Sequence, residues 1–328
     1  MASSSHSSSD HQVSVPHGAD ALIFPDPYRT NVKISSPMSS ITIAIPKGTS
    51  VTYGFQIGGL VHPDPHNRDG AGPQHSLLHG SNTDRTFWPP RSSSTIANLP
   101  GTRLSLDREL FGRRCTARFN ERGAQTTAVF LDGDDWIHLH DLNFALDQAV
   151  SAKQIPEVNR LFLPAAKDRS EEYTSSACAQ ALAAELPHLI SSKQIILVGQ
   201  SLSGLAALRA GVIAGKEKLP AIYGVIAQSP AVWWSINQQK DGDALGGPAG
   251  GVVVAELAKG LTTSEPSQLP RIILTAGTEE QPMHRHIDAT ANALIRSGFP
   301  TMHHRTLGGH DPAMWRYGVI PALRELLR

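Results

Sequence analysis

The sequence has few cysteines, no net charge and no long apolar run, and each of these shortages argues against a class of protein. Its two cysteines, Cys115 and Cys178, lie far apart in the chain and predict reduced, packed thiols rather than a disulfide framework. The 29 basic and 29 acidic residues cancel, which argues against non-specific binding to nucleic acid or to an anionic membrane. No apolar run approaches the length that spans a bilayer, so we expect no membrane partner.

The N-terminal region lacks the apolar core of a signal peptide. Residues 1–20 begin with a serine-rich polar stretch, so we expect a disordered tail there and, by default, a cytoplasmic protein. Residues 21–100 alternate short β-type runs with proline and glycine. This pattern predicts a small β-rich module, with a long loop over residues 62–94.

Residues 101–328 show a different pattern, in which apolar strands alternate with helix-like segments. Near-continuous apolar strands separated by helices predict a parallel sheet that is covered on both faces, and therefore an α/β catalytic domain. Two short runs, over residues 103–110 and 113–120, precede the first parallel strand. We expect them to form the antiparallel edge of the sheet.

The most informative motif is Gly-Gln-Ser-Leu-Ser-Gly over residues 199–204. It follows an apolar strand-like run and precedes a helix-like one, which is the context of a nucleophile elbow in α/β-hydrolases. The turn is tight, so small residues must stand two positions before and two after the nucleophile. Gly199 and Ser203 meet that need around Ser201, although Ser203 replaces the usual glycine. The alternative is a plain Gly/Ser-rich loop after a buried strand.

A second motif, Gly-Gly-His-Asp over residues 308–311, follows the last strand-like run and leads into the final helix. This is where an α/β-hydrolase places the histidine that serves as general base, and the order serine, acid, histidine also agrees. Serine needs such a base because its hydroxyl is a poor nucleophile at neutral pH. His310 is therefore the predicted base for Ser201, the alternative being an ordinary loop histidine.

The acid that would orient His310 is less defined by the sequence. The strand-like run over residues 271–275 is followed by a turn that contains both Glu279 and Glu280. Asp288 is a third candidate, although it falls within the next helix-like segment. A carboxylate after this strand would hold one imidazole tautomer, and we favour Glu280 for that role. The alternative is a solvated acidic turn.

The oxyanion hole needs two backbone donors. The N–H of Leu202, the residue after the nucleophile, is the first candidate. The second is a backbone N–H near Gly133, in the acidic run over residues 132–136 that follows an early strand. A metal site is the rival interpretation of this run, but no histidine or glutamate stands at ligand spacing, so we predict no metal and no cofactor.

With these motifs in place, the chain resembles the enterochelin (enterobactin) esterases, cytoplasmic hydrolases that open triscatecholate siderophore lactones to release iron. The matching pieces lie over residues 131–136, 199–201 with 204–205, 229 with 233–234, 276–277 with 280 and 282–283, and 308–311 with 315–316. The resemblance implies an α/β-hydrolase fold after a small, shortened N-terminal β module. It implies Ser201 as nucleophile, His310 as base and Glu280 as acid.

The resemblance also indicates substrate-binding residues. It places Arg169, Glu172 and Trp136 at the site. Trp233 and Trp234 follow a strand at its carboxyl end, where ligands bind in open α/β sheets. Their indole faces suit stacking on catechol rings, and the Arg169 guanidinium suits catecholate oxygens. The alternative is that one of the two tryptophans belongs to the core.

These observations predict a serine esterase that acts on a catecholate siderophore trilactone of the enterobactin, bacillibactin or corynebactin type. The expected partner is the siderophore, free or ferric, with iron entering as part of the substrate. One alternative is a general carboxylesterase or acyltransferase on the same fold. An alternative of another class is a noncatalytic siderophore-binding protein.

Overall fold

The computed structural model describes residues 8–35, 37–88, 102–110, 113–190, 192–235, 245–260 and 269–328, and residues 102–109 by their backbone alone. Within these ranges the N-terminal module contains β1 Ser8–Ser14, β2 Ala19–Ile23, β3 Val32–Lys33, β4 Ser40–Pro46, β5 Ser50–Ile57, β6 Leu60–His62, β7 Gly70–Ala71 and β8 His75–His79. Strands β1 and β4 form one antiparallel pair. The others form a second sheet in the order β3-β2-β5-β8-β7, with β6 also paired to β5.

The core of this module follows from side-chain alternation along its strands. In β4 the residues Ile41, Ile43 and Ile45 are buried, while Thr42 and Ala44 between them are exposed. Successive side chains of a strand point to opposite faces, so one face of β4 packs inward and the other meets solvent. The same core contains Tyr53 and Phe55 of β5, both fully buried.

Two expectations for this region are corrected. The prediction of a disordered tail over residues 1–20 is wrong from Ser8 onward, because β1 pairs with β4 along its whole length and β2 begins at Ala19. The long loop over residues 62–94 is also wrong in part, because β7 and β8 lie within it and pair with each other. Residues 1–7 and 89–94 lie outside the described residues.

The second part of the chain forms one mixed sheet. Its strands are β9 Thr102–Leu110, β10 Arg113–Asn120, β11 Thr126–Leu131, β12 Asn159–Leu163, β13 Gln194–Gln200, β14 Ile222–Gln228, β15 Arg271–Gly277 and β16 Thr301–Thr306. Their order is β16-β15-β14-β13-β11-β12-β10-β9. Strands β11 to β16 are mutually parallel, and β10 and β9 close one edge in antiparallel pairing, as the sequence predicts.

Helices cover both faces of this sheet. They are α1 Gly133–His138, α2 Leu142–Ser151, α3 Arg169–Thr174, α4 Ser176–Gln180, α5 Leu186–Leu189, α6 Leu202–Glu217, α7 Gly251–Ala258, α8 Gln281–Arg296 and α9 Pro312–Leu326, with a π-helical turn Ala181–Glu185 between α4 and α5. Helices α1, α2 and α9 pack on one face, and α3 to α8 pack on the other. No helix among the described residues is long and apolar enough to cross a membrane.

The central strands are largely apolar because both of their faces are covered. In β13, Ile195 and Leu197 belong to the core under α6, whereas Ile196 and Val198 belong to the core under α9. Because neighbouring strands are parallel, their carboxyl ends lie at one edge of the sheet. The segments that follow β11, β12, β13, β14, β15 and β16 therefore begin at this edge, and they carry the predicted site residues.

Candidate active site

Ser201 occupies a strained turn between β13 and α6. Its backbone has φ 54° and ψ −117°, a conformation that is costly for a residue with a side chain. The turn is so tight that a Cβ on Gly199 would lie 2.4 Å from the carbonyl oxygen of Ser203. Glycine is thus the only residue that fits at position 199, as the elbow prediction requires.

Ser203, which departs from the usual glycine, stabilises the elbow. Its Oγ accepts a hydrogen bond from the N–H of Gln200 at 2.9 Å and donates one to the Gln200 carbonyl at 2.8 Å. The side chain is fully buried, so this hydroxyl satisfies backbone groups that water cannot reach. The substitution of glycine therefore leaves the turn intact and adds two bonds to it.

His310 lies next to this serine. Its Nε2 is 3.0 Å from the Oγ of Ser201, within hydrogen-bond reach of the proton that a base must remove. Two aromatic rings stand perpendicular to the imidazole: Trp315, with ring centroids 5.0 Å apart, and Tyr28 of the N-terminal module, with centroids 6.1 Å apart. The imidazole plane is consequently held from more than one side.

Of the three acidic candidates, the structure brings Glu280 to the histidine. Its Oε1 lies 2.5 Å from the Nδ1 of His310, and its side chain is fully buried. Glu279 instead points to Arg29, at 3.6 Å, and Asp288 pairs with Arg305 on the surface. Ser201, His310 and Glu280 therefore form one continuous chain of hydrogen bonds.

Two further groups hold the Glu280 carboxylate, and the sequence assigned no role to either. The Oγ of Ser229 donates to Oε2 at 2.8 Å, and the backbone N–H of Gly277 donates to the same oxygen at 2.5 Å. Ser229 follows β14 with a positive φ of 43°, which turns its side chain toward the acid. The sequence offered two signals for Ser229, its place directly after a buried strand and its match to the resembled family, but neither gave it a role.

The turn after β11 is held to the elbow by Arg169. The guanidinium donates to both oxygens of the buried Asp132 carboxylate at 2.7 Å, and one of its nitrogens also reaches the Gln200 carbonyl at 3.3 Å. Asp132 has φ 54°, and Gly133 lies so close to β12 that a Cβ would stand 2.5 Å from the carbonyl carbon of Phe162. This packing explains the glycine, while its oxyanion role stays a prediction.

The other residues that were predicted to contact substrate are Trp233, Trp234, Glu172 and Trp136. Trp233 and Trp234 are half-buried at the edge of the core under α6. Both oxygens of Glu172 are engaged within the protein, by Arg113 and by the backbone N–H of Ala166, so its geometry gives no support to substrate contact.

Trp136 requires a correction. The prediction that it binds substrate is wrong, because the side chain is fully buried in the core on the α9 face of the sheet. Its ring packs against Phe130 and His140. Burial and the nearby Arg316 lower the pKa of His140 to about 3, so this imidazole is neutral near physiological pH.

The arrangement is chemically that of a serine hydrolase. A hydroxyl, an imidazole and a buried carboxylate in line can remove a proton from the serine and return it to a leaving group. In the described part of the chain, no three histidine, cysteine or acidic side chains are grouped as ligands for a metal ion.

Comparisons with known proteins agree with this chemistry. Residues 111–326 match the family Esterase, described as putative esterase. The iron(III) enterobactin esterase of Dickeya dadantii (strain 3937) is 28% identical over 298 residues, which cover 87% of this chain and 65% of that protein. The iron(III) enterobactin esterase of Escherichia coli (strain K12) is 28% identical over 212 residues, 61% of this chain and 49% of that protein. The chain thus spans about half to two thirds of the length of these curated relatives.

Among solved structures, the enterobactin esterase FES from Shigella flexneri, crystallised in the presence of enterobactin, superposes with a TM-score of 0.73. The match has 18% sequence identity and covers 97% of this chain and 92% of that one. Likeness at this identity shows a shared fold. It confirms the predicted α/β-hydrolase architecture preceded by a small β module.

Proposed function

We propose that this chain, which belongs to the Esterase family by its match over residues 111–326, is a serine esterase that hydrolyses the ester bonds of a catecholate siderophore trilactone. The observation that carries the catalytic part is the hydrogen-bonded chain from Ser201 through His310 to Glu280. The substrate class is supported by the names of the relatives, which are enterobactin esterases. An enterobactin-, bacillibactin- or corynebactin-like backbone and release of iron in the cytoplasm complete the proposal.

The reaction begins with proton transfer to the imidazole. As the Oγ of Ser201 attacks the ester carbonyl, the Nε2 of His310 takes the hydroxyl proton and a tetrahedral oxyanion forms. The C–O bond of the ester then breaks, and His310 returns the proton to the departing alcohol, leaving an acyl-enzyme. Water, activated by the same imidazole, releases the acid. Glu280 keeps the proton on Nδ1 throughout, so that Nε2 is free to accept.

The oxyanion is held by backbone donors. The N–H of Leu202 stands at the first turn of α6, a sixteen-residue helix whose N-terminus favours negative charge. The second donor comes from the turn at Gly133. Arg169 keeps that turn in place because it donates hydrogen bonds to both Asp132 and the Gln200 carbonyl. Its main contribution in this geometry is to hold the turn, with substrate contact secondary.

Selectivity for a siderophore comes from groups beyond the catalytic residues, because those serve any ester. Trp233 and Trp234 follow β14, at the same edge of the sheet as Ser201, and keep part of their surface accessible. Stacking of a catechol ring on an indole face contributes about 0.5–1.5 kcal/mol beyond buried area. The trilactone presents three such rings, so one or two stacked arms suffice to favour it over a simple ester.

Hydrolysis of an iron-free trilactone, its ferric complex and a short-chain ester tests the proposal. Ser201→Ala should lower turnover by about a million-fold. Ser203→Ala, a matched change two residues away, should cost less than about tenfold, because its loss removes two bonds that stabilise the elbow but no reacting atom. The opposite order of effects would contradict the assignment of the nucleophile.

The choice of substrate separates the rival functions. Turnover of the short-chain ester with no preference for trilactones indicates a general carboxylesterase or acyltransferase. Tight siderophore binding without turnover of any ester indicates a binding protein. Preferred turnover of a trilactone supports the proposal.

A further inference from the structure

The N-terminal β module contacts the catalytic histidine loop at three consecutive residues, Gly309, His310 and Asp311. The contacts come from two places in the module. One is Thr52 on β5, and the other is the turn over residues 26–29 that follows β2. Thr52 and Asp311 are separated by 259 positions in the chain, so no local folding rule brings them together.

Thr52 holds the carboxylate of Asp311, the residue next to the histidine. Its Oγ1 donates to Oδ1 at 2.6 Å and its backbone N–H donates to Oδ2 at 3.0 Å. Asp311 is 2% exposed, and its Oδ1 also accepts from the N–H of Ala313 to cap α9. Because buried carboxylates depend on such donors, the two bonds from Thr52 fix the backbone on the C-terminal side of His310.

The turn over residues 26–29 fixes the other side of the loop. The carboxylate of Asp26 is 2% exposed, and its Oδ1 accepts the N–H of Tyr28 at 2.9 Å. The same carboxylate packs on Gly309, where a Cβ would lie 2.0 Å from its Oδ2. Only glycine at position 309 permits this approach. Tyr28 then places its ring perpendicular to the imidazole of His310.

We propose that the N-terminal module positions the catalytic histidine, with Thr52 acting through Asp311 and Tyr28 acting directly on the His310 ring. This role is separate from any contact with substrate. It rests on the proposed function, because the position of His310 affects turnover only if His310 is the base. A misplacement of about 1 Å at a catalytic group costs on the order of 100-fold in rate. Small structural changes in the module should therefore lower the rate of the catalysed reaction.

Thr52→Val is the central test, because valine keeps the shape and the backbone N–H and removes only the Oγ1 donor. On a short-chain aryl ester we expect kcat to fall by about ten- to a hundred-fold while KM stays within about threefold. The rate at which a small fluorophosphonate reacts with Ser201 should fall by the same factor, since that reaction needs the base but no substrate pocket. Thr52→Ser should restore both rates.

Thr42→Val provides the matched control. Thr42 lies in β4 of the same module but is exposed on its outer face, so the same chemical change there should leave both rates unchanged. Tyr28→Ala and Tyr28→Phe form a second, independent pair. The alanine variant should lose about tenfold in kcat and the phenylalanine variant should retain it, because the contact with His310 is made by the ring. Thermal melting identifies any variant that fails to fold.

Hydrogen exchange of the backbone over residues 308–311 gives a readout that needs no activity. Faster exchange in Thr52→Val than in Thr42→Val, at equal melting temperatures of the two variants, supports the positioning role. This holds even if the wild-type protein cleaves no ester. Absence of ester cleavage would contradict the proposed function but not the positioning role. Wild-type rates and wild-type exchange in both Thr52→Val and Tyr28→Ala would overturn the positioning role and leave the esterase proposal standing.

Discussion

Glu280→Gln is the sharpest single test of the catalytic chain, because it changes one atom and leaves the shape of the side chain intact. The carboxylate accepts three hydrogen bonds, from His310 Nδ1, Ser229 Oγ and the backbone N–H of Gly277. A glutamine has one acceptor oxygen and one NH₂ donor in place of two acceptor oxygens. The three donors that meet at this point can no longer all be satisfied.

The orientation of the new amide follows from its neighbours. The N–H of Gly277 is a fixed donor that cannot rotate away, and Ser229 donates beside it, so the amide oxygen must face these two. The NH₂ group then faces Nδ1 of His310, which must become an acceptor. The imidazole proton moves to Nε2, where it points at Ser201 and prevents the ring from accepting the serine proton.

The wrong tautomer removes general-base catalysis but leaves the oxyanion donors in place. An acid-to-amide change of this kind in a serine triad lowers kcat by about 10⁴-fold, which corresponds to about 5 kcal/mol of barrier. Steady-state kinetics on a short-chain ester at neutral pH measure the effect, with circular dichroism to show that the fold is retained. KM should change little, because the carboxyl group is fully buried and touches no substrate.

Glu279→Gln is the matched control, because the same chemical change falls on the adjacent residue. Glu279 is 37% exposed and its partner Arg29 lies 3.6 Å away, so turnover should stay within about twofold. A severe loss in Glu279→Gln with a mild one in Glu280→Gln would refute the assignment. Mild effects in both would mean that Ser201 and His310 work as a dyad.

Two further results are expected. Burial raises the pKa of Asp311 to about 6 against the hydrogen bonds from Thr52, so this group stabilises the fold below about pH 4 and loses that contribution as pH rises through about 6. The unfolding free energy of the wild-type protein should therefore decrease by about 3 kcal/mol more than that of Asp311→Asn between about pH 4 and pH 6, as measured by urea titration at each pH. An equal decrease in both proteins would contradict this expectation. Trp136→Ala should cost about 3–5 kcal/mol of stability without changing the preference for trilactone over simple ester, whereas Trp233→Ala should lower that preference up to about tenfold with little loss of stability.

The catalytic strands could be predicted because their signals are local. A continuous apolar run before Ser201 and a glycine two residues earlier are enough to indicate a strand and a tight turn. Local signals favoured Glu280 over Glu279 as the acid but could not decide between them. Adjacent residues of a turn point in different directions, and only the fold shows that position 280 meets the N–H of Gly277 and the ring of His310.

Trp136 shows how a motif can mislead. It stands in a run that resembles an active-site turn, and the turn does lie beside the elbow, since Asp132 is tied to Arg169. However, α1 begins at Gly133 and carries residue 136 away from the site, to the core on the other face of the sheet. A residue that lies near a functional loop in sequence therefore need not face that loop once a helix has begun.

Thr52 and Tyr28 carried no signal in the sequence at all. Each is an ordinary residue of a β module, and each gains its role only because the two parts of the chain pack together at the histidine loop. Neither a period of apolar residues nor a short motif records such a contact. Long-range packing between modules is the part of this site that had to be seen in three dimensions.

Backbone strain links the site to the sheet that supports it. Three neighbouring parallel strands, β11, β13 and β14, are each followed by a non-glycine residue with positive φ: Asp132, Ser201 and Ser229. Each such residue costs on the order of 1–3 kcal/mol and persists only where its surroundings hold it. Hydrogen bonds stabilise each of the three residues or its turn. Arg169 donates to Asp132, the Ser203 hydroxyl donates to the Gln200 carbonyl in the elbow, and Glu280 accepts from Ser229. The strain therefore lies at three neighbouring strand ends beside the site, and the buried strands that precede them supply the rigidity that maintains it.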